Sequence, residues 1–405
     1  MAAADTRARP ALTMTQVLLC GAVVVTLSMG IRHGFGLWLQ PVTIERGWNR
    51  ETFAFALAVQ NLAWGIAAPL AGMLADRWGA FRVLALGSIF YAAGLVVMGL
   101  ATTGAGFLGG AGLLIGMAQA GTTYAVVFGV IGRSVAPERR SWAMGVAAAA
   151  GSFGQFLMVP IEGGLIQAVG WQNALFVLAC LVLVIIPAAL GLREPKRDMT
   201  APSQQSVGAA VREAVGHRSF QLLTAGYFVC GFQLAFVGVH MPSYLKDHGL
   251  RPDVATTALA LIGLFNVVGT YVAGSLGGRL PKNYLLSTIY SLRSIAIVAF
   301  LAVPLSPWSV YLFAAAMGFL WLSTVPLTNG IVAEIFGVRY LSMLGGFVFL
   351  SHQVGSFLGV WLGGLLYDRS GSYQVVWWIA VALGVFAAVV NLPIRESAIV
   401  RPAPA

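Results

Sequence analysis

The chain has 405 residues, of which 58% are hydrophobic and only 9% are Asp, Glu, Lys or Arg. Soluble domains carry about 25% charged residues, so this chain has too little polar surface for a water-soluble globule and we expect a membrane protein. The formal net charge is +10, but the basic residues stand singly or in short clusters between apolar runs. That placement favours membrane topology and lipid headgroup contact over nucleic-acid binding.

Apolar runs long enough to cross a bilayer follow one another along the chain, separated by short charged or Gly/Pro-containing turns. A helix crosses roughly 30 Å of hydrocarbon in about 20 residues. The first run is longer than the apolar core of a signal peptide and lacks a clear cleavage site, so we interpret it as a retained span. The twelve predicted spans are 15–41, 51–76, 82–103, 106–132, 140–167, 172–193, 219–245, 252–279, 284–305, 308–332, 340–366 and 373–394.

The longest polar stretch divides these spans into six and six. We therefore predict an all-α membrane protein with two pseudo-symmetric six-helix bundles, residues 1–193 and 219–405, joined by a cytoplasmic linker at 194–218. Most of the 24 Lys and Arg residues fall in segments that are cytoplasmic if both termini are cytoplasmic. This asymmetry predicts a multi-pass protein of the inner (cytoplasmic) membrane with both termini inside.

The turn after the second predicted span carries a charged motif that recurs, in altered form, after the eighth span. We therefore expect the two halves to be parallel repeats. In the second copy Gly278 stands where the first copy has an aspartate, so we expect weaker charge contacts at the second copy of the motif. Charges at helix ends can meet a neighbouring helix terminus in one state and separate in another. The predicted gating motif consists of Gly72, Asp76, Arg77, Gly79 and Arg82.

This motif, G-x-L-x-D-R-x-G, together with twelve spans and a central linker, resembles the major facilitator superfamily over essentially the whole chain. Two local stretches, 30–36 and 366–373, and the Gly-rich eleventh span are similar to the bacterial monocarboxylate and oxalate/formate porter branch. Members of that branch commonly carry an Asp and an Arg in the eighth span. Here Asp253 stands at its outer end, and its first arginine is Arg279 at the inner end.

Two arginines fall at membrane depth, where ionisable residues are costly and usually functional. Arg32 precedes Pro41 by nine residues, which places it roughly 13 Å below the outer boundary, with no acidic residue in its own span. It suits the carboxylate of an anionic substrate; the alternative is a structural bond to helix carbonyls or to Glu162. Arg293 is similarly deep, but the resemblance implies that the ninth span is peripheral, which equally favours an inter-helix role.

His352 and Glu162 are the candidates for proton coupling. His352 lies near the middle of the eleventh span and can bind substrate, carry a proton or simply pack. Glu162 can titrate or pair with an arginine. Neutral polar or aromatic residues on the spans that the resemblance places around the cavity complete the predicted substrate site, although each can instead join helices. They are Gln60, Asn61, Gln119, Tyr124, Gln155, Tyr227, Gln233, Asn266, Trp321 and Gln353.

We therefore expect a monomeric secondary transporter that moves a small organic anion, a monocarboxylate in the first instance, by proton symport or anion exchange and without a cofactor. The alternatives are an exporter of drug-like or aromatic compounds and a non-transporting receptor. We expect no enzyme, since no nucleophile–base constellation occurs at depth. The three cysteines show no metal-binding or disulfide spacing, so we predict neither role.

Overall fold

The computed structural model describes residues 13–135, 137–193, 207–337 and 341–399. Eleven stretches of these residues are long and apolar enough to cross a membrane. One of them, Ala143–Leu190, has 48 residues and includes Gly170, whose φ of 80° and ψ of 159° are not helical. Gly170 therefore separates two spans, and the predicted total of twelve is confirmed.

The spans are numbered 1 to 12 in chain order. Spans 1, 4, 6 and 10 are each built from more than one helical segment, which the hydropathy pattern did not predict. The bounds are span 1, Met14–His33, Phe35–Trp38 and Leu39–Arg46; span 2, Arg50–Trp78; span 3, Ala80–Leu100; span 4, Gly104–Phe107, Leu108–Leu114, Ile115–Thr122 and Tyr124–Ser134; spans 5 and 6, Pro137–Val182, divided at Gly170, with Ile185–Leu190 closing span 6; span 7, Arg218–Asp247; span 8, Pro252–Gly277; span 9, Lys282–Ala302; span 10, Pro307–Leu320 and Thr324–Phe336; span 11, Leu341–Ser370; and span 12, Gln374–Asn391.

Local sequence explains several of these boundaries. The Asn49 side chain accepts a hydrogen bond from the Thr52 N–H and so caps the start of span 2. At its other end, Gly79 has a φ of 88°, a value that a side chain would make unfavourable. Spans 8 and 10 begin at prolines, which lack the N–H that a first helical turn leaves unpaired.

The buried apolar side chains form two clusters, one drawn almost entirely from spans 1–6 and the other from the helix Val207–Gly216 and spans 7–12. Each cluster includes one residue from the opposite half, Val360 in the first and Val159 in the second. The fold is therefore two six-helix bundles in contact. The helix Val207–Gly216 lies within the predicted linker, whose residues 194–206 fall outside the described residues; the domain boundaries themselves remain a prediction.

Close packing within the second half relies on glycines of span 11. A Cβ atom added at Gly355 or Gly359 would press against the backbone of Phe228 or Phe232 on span 7, and one at Gly363 would overlap the ring of His240. Small residues with this four-residue spacing allow helix backbones to approach closely. This face of span 11 is thus a packing surface against span 7.

We predict that Gly359→Val destabilises the protein, because overpacking a tight contact costs about 1–3 kcal/mol. The measurement is the thermal midpoint of the detergent-solubilised protein, followed by size-exclusion chromatography. Gly346→Val is the matched control on the same span, since no heavy atom lies within 4 Å of a Cβ at that position. Equal midpoints for the two variants would contradict the assigned packing.

Candidate functional site

The even number of spans puts both described ends of the chain and the linker on one side of the molecule, here called the linker side. The opposite side, which carries the turns after spans 1, 7 and 11, is the far side. The two halves meet on the far side through charged residues, then through aromatic rings, and then through polar groups at mid-depth. These three layers define the geometry of the candidate site.

The outermost layer is built around Arg50 at the start of span 2. Its guanidinium donates two hydrogen bonds of 2.6 Å to the carboxylate of Asp247 on span 7 and one of 2.8 Å to the Tyr373 hydroxyl. Asp368 on span 11 accepts from the backbone N–H groups of Arg50 and Glu51, at 3.1 and 2.6 Å. A bidentate pair and a carboxylate at a helix N-terminus are both favourable. The far-side network is Gln40, Arg50, Asp247, Asp368 and Tyr373.

Aromatic contacts between spans 2 and 11 lie beneath this network. The Phe55 ring packs edge-on against Phe357 and Trp361, with ring centroids 6.2 and 6.4 Å apart. The Trp361 indole N–H also donates to Glu51 at 3.1 Å. Together these contacts join spans 2 and 11 on the far side.

At mid-depth, Arg32 stands at the end of the first helix of span 1, where the chain breaks at Gly34 before resuming its helical course. Its Nη2 donates to the Asn61 side-chain oxygen at 2.5 Å, and its guanidinium carbon lies 4.9 Å from the centre of the Trp64 ring. The Nε is buried without a partner among the described residues, while the side chain as a whole is half-buried. Arg32 is thus a cation that still has an N–H donor without a hydrogen-bond partner in the ranges that the structure describes.

The second half is linked to Arg32 by hydrogen bonds through Asn61. The Gln353 amide on span 11 donates to the Asn61 carbonyl at 3.0 Å, and its oxygen accepts from His352 Nδ1 at 3.0 Å. The His352 ring lies 5.0 Å from that of Tyr227 on span 7. We call Arg32, Asn61, Tyr227, His352 and Gln353 the central polar cluster; it joins spans 1, 2, 7 and 11.

Arg293 lies outside this cluster. It is completely buried and donates through Nε and Nη2 to the Leu320 carbonyl, at 3.2 and 2.6 Å, and also to the Trp321 carbonyl. These carbonyls belong to the break in span 10, where the helix leaves them without their usual donors. The geometry matches the inter-helix alternative offered for Arg293, and it places Trp321 at the same break.

Most of the other predicted substrate residues hold helices together. Their amide groups donate to backbone carbonyls or side chains of neighbouring spans at 2.6–3.5 Å. Tyr124 is half-buried, and its hydroxyl donates to the Ala148 carbonyl at 3.4 Å. The pairs are Gln60 with Ala111, Gln119 with Tyr91, Gln155 with Leu259, Gln233 with Ala380, and Asn266 with Ser152.

The two remaining groups of predicted residues lie apart from Arg32. Glu162 is completely buried against Gly34, and neither carboxylate oxygen has a hydrogen-bond partner within the described part of the chain. In the gating motif, Arg77 and Arg82 are exposed on the linker side, Gly79 forms the turn, and Gly72 has open space beside it. The Asp76 side chain is outside the described part of the structure.

Sequence reasoning missed Trp64 and Phe349, whose rings meet 5.2 Å apart below Arg32, and the entire far-side network. Arg50 and Asp247 stand just outside the predicted spans 51–76 and 219–245, and no local pattern in the sequence indicates that they meet. Asp368 lies in the 366–373 stretch, whose family resemblance was the one sequence feature that could have drawn attention to it. Over the ranges that the structure describes, no group of three His, Cys, Asp or Glu residues could hold a metal ion.

The sequence profile of the Major Facilitator Superfamily matches residues 18–336 and 223–405. The chain belongs to this superfamily. Monocarboxylate transporter 11 of Mus musculus is 27% identical over 362 residues, which cover 86% of this chain and 80% of that protein. The uncharacterized MFS-type transporter YcxA of Bacillus subtilis (strain 168) is 23% identical over 375 residues, covering 89% and 90%. The transporter therefore has monocarboxylate transporters among its relatives.

One solved structure with a similar fold is a bacterial homolog of the human lysosomal transporter Spinster, in an inward-facing and unoccupied conformation. It aligns with a TM-score of 0.71 at 16% identity, over 94% of this chain and 95% of that one. At this identity the likeness concerns the fold alone. It agrees with the two six-helix bundles described above.

We predict that Asp247→Asn loosens the far side of this transporter, because the Arg50 pair is largely shielded, with 12% and 22% of the two side chains exposed. Loss of a hydrogen-bonded charge costs about 1.5–3 kcal/mol. Faster hydrogen–deuterium exchange is expected in the first turn of span 2. Asp253→Asn is the control, since its pair with Arg251 is 83% and 55% exposed and such pairs contribute little; unchanged exchange in Asp247→Asn would count against the network.

Proposed function

We propose that this protein is a secondary active transporter that carries a small organic anion, in the first instance a monocarboxylate, across the cytoplasmic membrane by alternating access. The observation that carries the proposal is the state of Arg32. It lies between the two halves, retains donors without partners and pairs with a neutral amide rather than a carboxylate. Symport with protons and exchange of anions are both compatible with this site.

The charge of Arg32 favours an anionic substrate. No ion pair joins it to an acidic side chain in the described ranges, although Glu162 lies against Gly34, two residues farther along span 1. A guanidinium in a low-dielectric site is costly without a counter-charge, and its fork of donors matches a carboxylate. A substrate carboxylate would supply that counter-charge, while the relatives named monocarboxylate transporters support the substrate class.

The layers between the halves support alternating access. The far-side network and the aromatic layer close one end of the molecule, and the described contacts between spans 2 and 11 extend to Gln353 and Phe349. Farther toward the linker side, a methyl group added at Gly72 on span 2 or at Gly346 on span 11 would have no heavy atom within 4 Å. We infer that the gating motif on the linker side stabilises the opposite state, with the linker and termini in the cytoplasm.

A second candidate is export of aromatic or drug-like compounds. The observation in its favour is the group of rings near Arg32, namely Trp64, Phe349, His352 and Tyr227. Aromatic surfaces bind apolar and planar molecules readily. This alternative differs from anion transport in one decisive respect, since it does not require the positive charge of Arg32.

The proposal predicts that a panel of carboxylates, tested against neutral and cationic compounds, yields thermal stabilisation and proteoliposome uptake by carboxylates alone. Arg32→Ala should reduce that uptake at least about tenfold, because hydrogen bonds to charged groups contribute about 1.5–3 kcal/mol. Arg251→Ala removes a positive charge from an exposed far-side arginine and should leave uptake unchanged.

Two outcomes would overturn the anion assignment: stabilisation by neutral or cationic compounds only, and undiminished uptake by a well-folded Arg32→Ala protein. The second of these would favour aromatic export. An imposed pH gradient across the same proteoliposomes separates the coupling modes. Symport responds to the gradient, whereas exchange responds to anion trapped inside.

A further inference from the structure

Glu162 is the only acidic side chain that is completely buried among those that the structure describes. It lies on span 5 against the break in span 1, where a methyl group at Gly34 would occupy the position of its carboxyl group. The Gly34 backbone has a φ of −84°, which any residue adopts. The glycine is therefore needed for space, and the space is filled by the carboxyl group of Glu162.

Neither oxygen of Glu162 receives a hydrogen bond from any described residue. An ionised carboxylate that has left water without gaining a donor or a counter-ion is far less stable than the neutral acid. The neutral acid is the form that this environment can hold.

The titratable groups around Glu162 do not change that conclusion. On span 1, Arg32 donates to Asn61, and His33 Nδ1 donates to the Met29 carbonyl at 2.6 Å. On span 3, the Tyr91 hydroxyl donates to the Ser28 carbonyl at 3.2 Å. None of these groups donates a hydrogen bond to Glu162.

The opposite half covers this region through neutral groups on spans 7 and 8. Gly36, two residues beyond Gly34, lies against the backbone of Gly238 and Val239 on span 7. Gly163, next to Glu162, lies against Thr256 on span 8. Both are contacts between the two halves. Separating the halves on the far side would break both contacts and let water approach Glu162.

We propose that closing the far side requires Glu162 to bind a proton, and that opening it lets the carboxyl group meet water and release that proton. Glu162 is thus a proton-binding site whose occupancy selects the conformation. The inference rests on the proposed alternating access but not on the identity of the substrate. By linkage, a proton that binds the closed state more tightly shifts the population toward that state.

The sign of the pH effect follows from this assignment. Deprotonation of Glu162 at higher pH disfavours closure, so raising the pH opens the far side.

The test measures the far-side separation in the substrate-free, full-length protein reconstituted in nanodiscs. Spin labels are placed on Ile44→Cys and Arg251→Cys, two exposed positions on opposite halves, after the native cysteines are replaced by alanine. Pulsed electron–electron double resonance should show a shift toward longer distances as the pH rises. Glu162→Gln, which mimics the neutral acid, should stay at the short distance throughout.

His352→Gln is the control for the other titratable candidate and should follow the wild type. The proposal is overturned if Glu162→Gln opens with rising pH as the wild type does, if the wild type shows no shift, or if His352→Gln abolishes the shift. No substrate is present, so a failed uptake panel leaves this result interpretable. Infrared difference spectra provide a second readout, in which the band of a protonated carboxyl group should disappear in Glu162→Gln; an unchanged band contradicts the assignment.

A double substitution tests the contact itself. Gly34→Ala places a methyl group where the carboxyl group lies, so we expect longer far-side distances at every pH. Glu162→Ala removes the carboxyl group and should restore the short distance in the Gly34→Ala background. A Gly34→Ala protein that behaves as wild type would show that the two residues do not share this space.

Discussion

Hydrocarbon offers no hydrogen bonds, and this constraint governs where polar groups stand in this protein. Wherever a span departs from a continuous helix, backbone carbonyls lose their donors and another group must replace them. The break in span 10 illustrates the solution, since Arg293 donates to the two carbonyls that the break exposes. A buried arginine and unpaired backbone carbonyls are each unfavourable in hydrocarbon, and here each satisfies the other by hydrogen bonding.

At the break in span 1, atoms of two polar side chains are left without hydrogen-bond partners in the described part of the chain. Arg32 just before it keeps a buried Nε without a partner, and Glu162 beside it has two oxygens without partners among the described residues. Both residues stand at the same break, yet Arg32 donates to the Asn61 amide oxygen rather than to Glu162. Unsatisfied polar groups are rare in folded proteins and call for an explanation. Here they coincide with the place where the two halves meet at mid-depth, and this coincidence supports the transport role proposed above for this region.

The two halves therefore use similar elements for unequal purposes. In the second half the deep arginine donates to both carbonyls of a helix break through Nε and Nη2, with only its Nη1 left without a partner among the described residues. In the first half the deep arginine donates to a single side-chain amide oxygen. The far-side network adds a further asymmetry, because the first half supplies the cation and an exposed helix start, and the second half supplies both carboxylates. Such complementary charges fix the register in which the two halves pack on the far side.

The sequence by itself determined the solvent, the number of spans and the superfamily, because span length and apolar composition are local properties. It also singled out Arg32, His352 and Glu162 as candidates, since an ionisable residue inside an apolar run stands out without any knowledge of packing. Only the tertiary structure decided that Arg293 is engaged by span 10, that Gln233 faces span 12 rather than the centre, and that Arg50, Asp247 and Asp368 converge. Those outcomes depend on how each helix is rotated and on which loops meet, and neither is encoded within one span. Hydropathy averages over the faces of a helix, whereas a hydrogen bond depends on a single face.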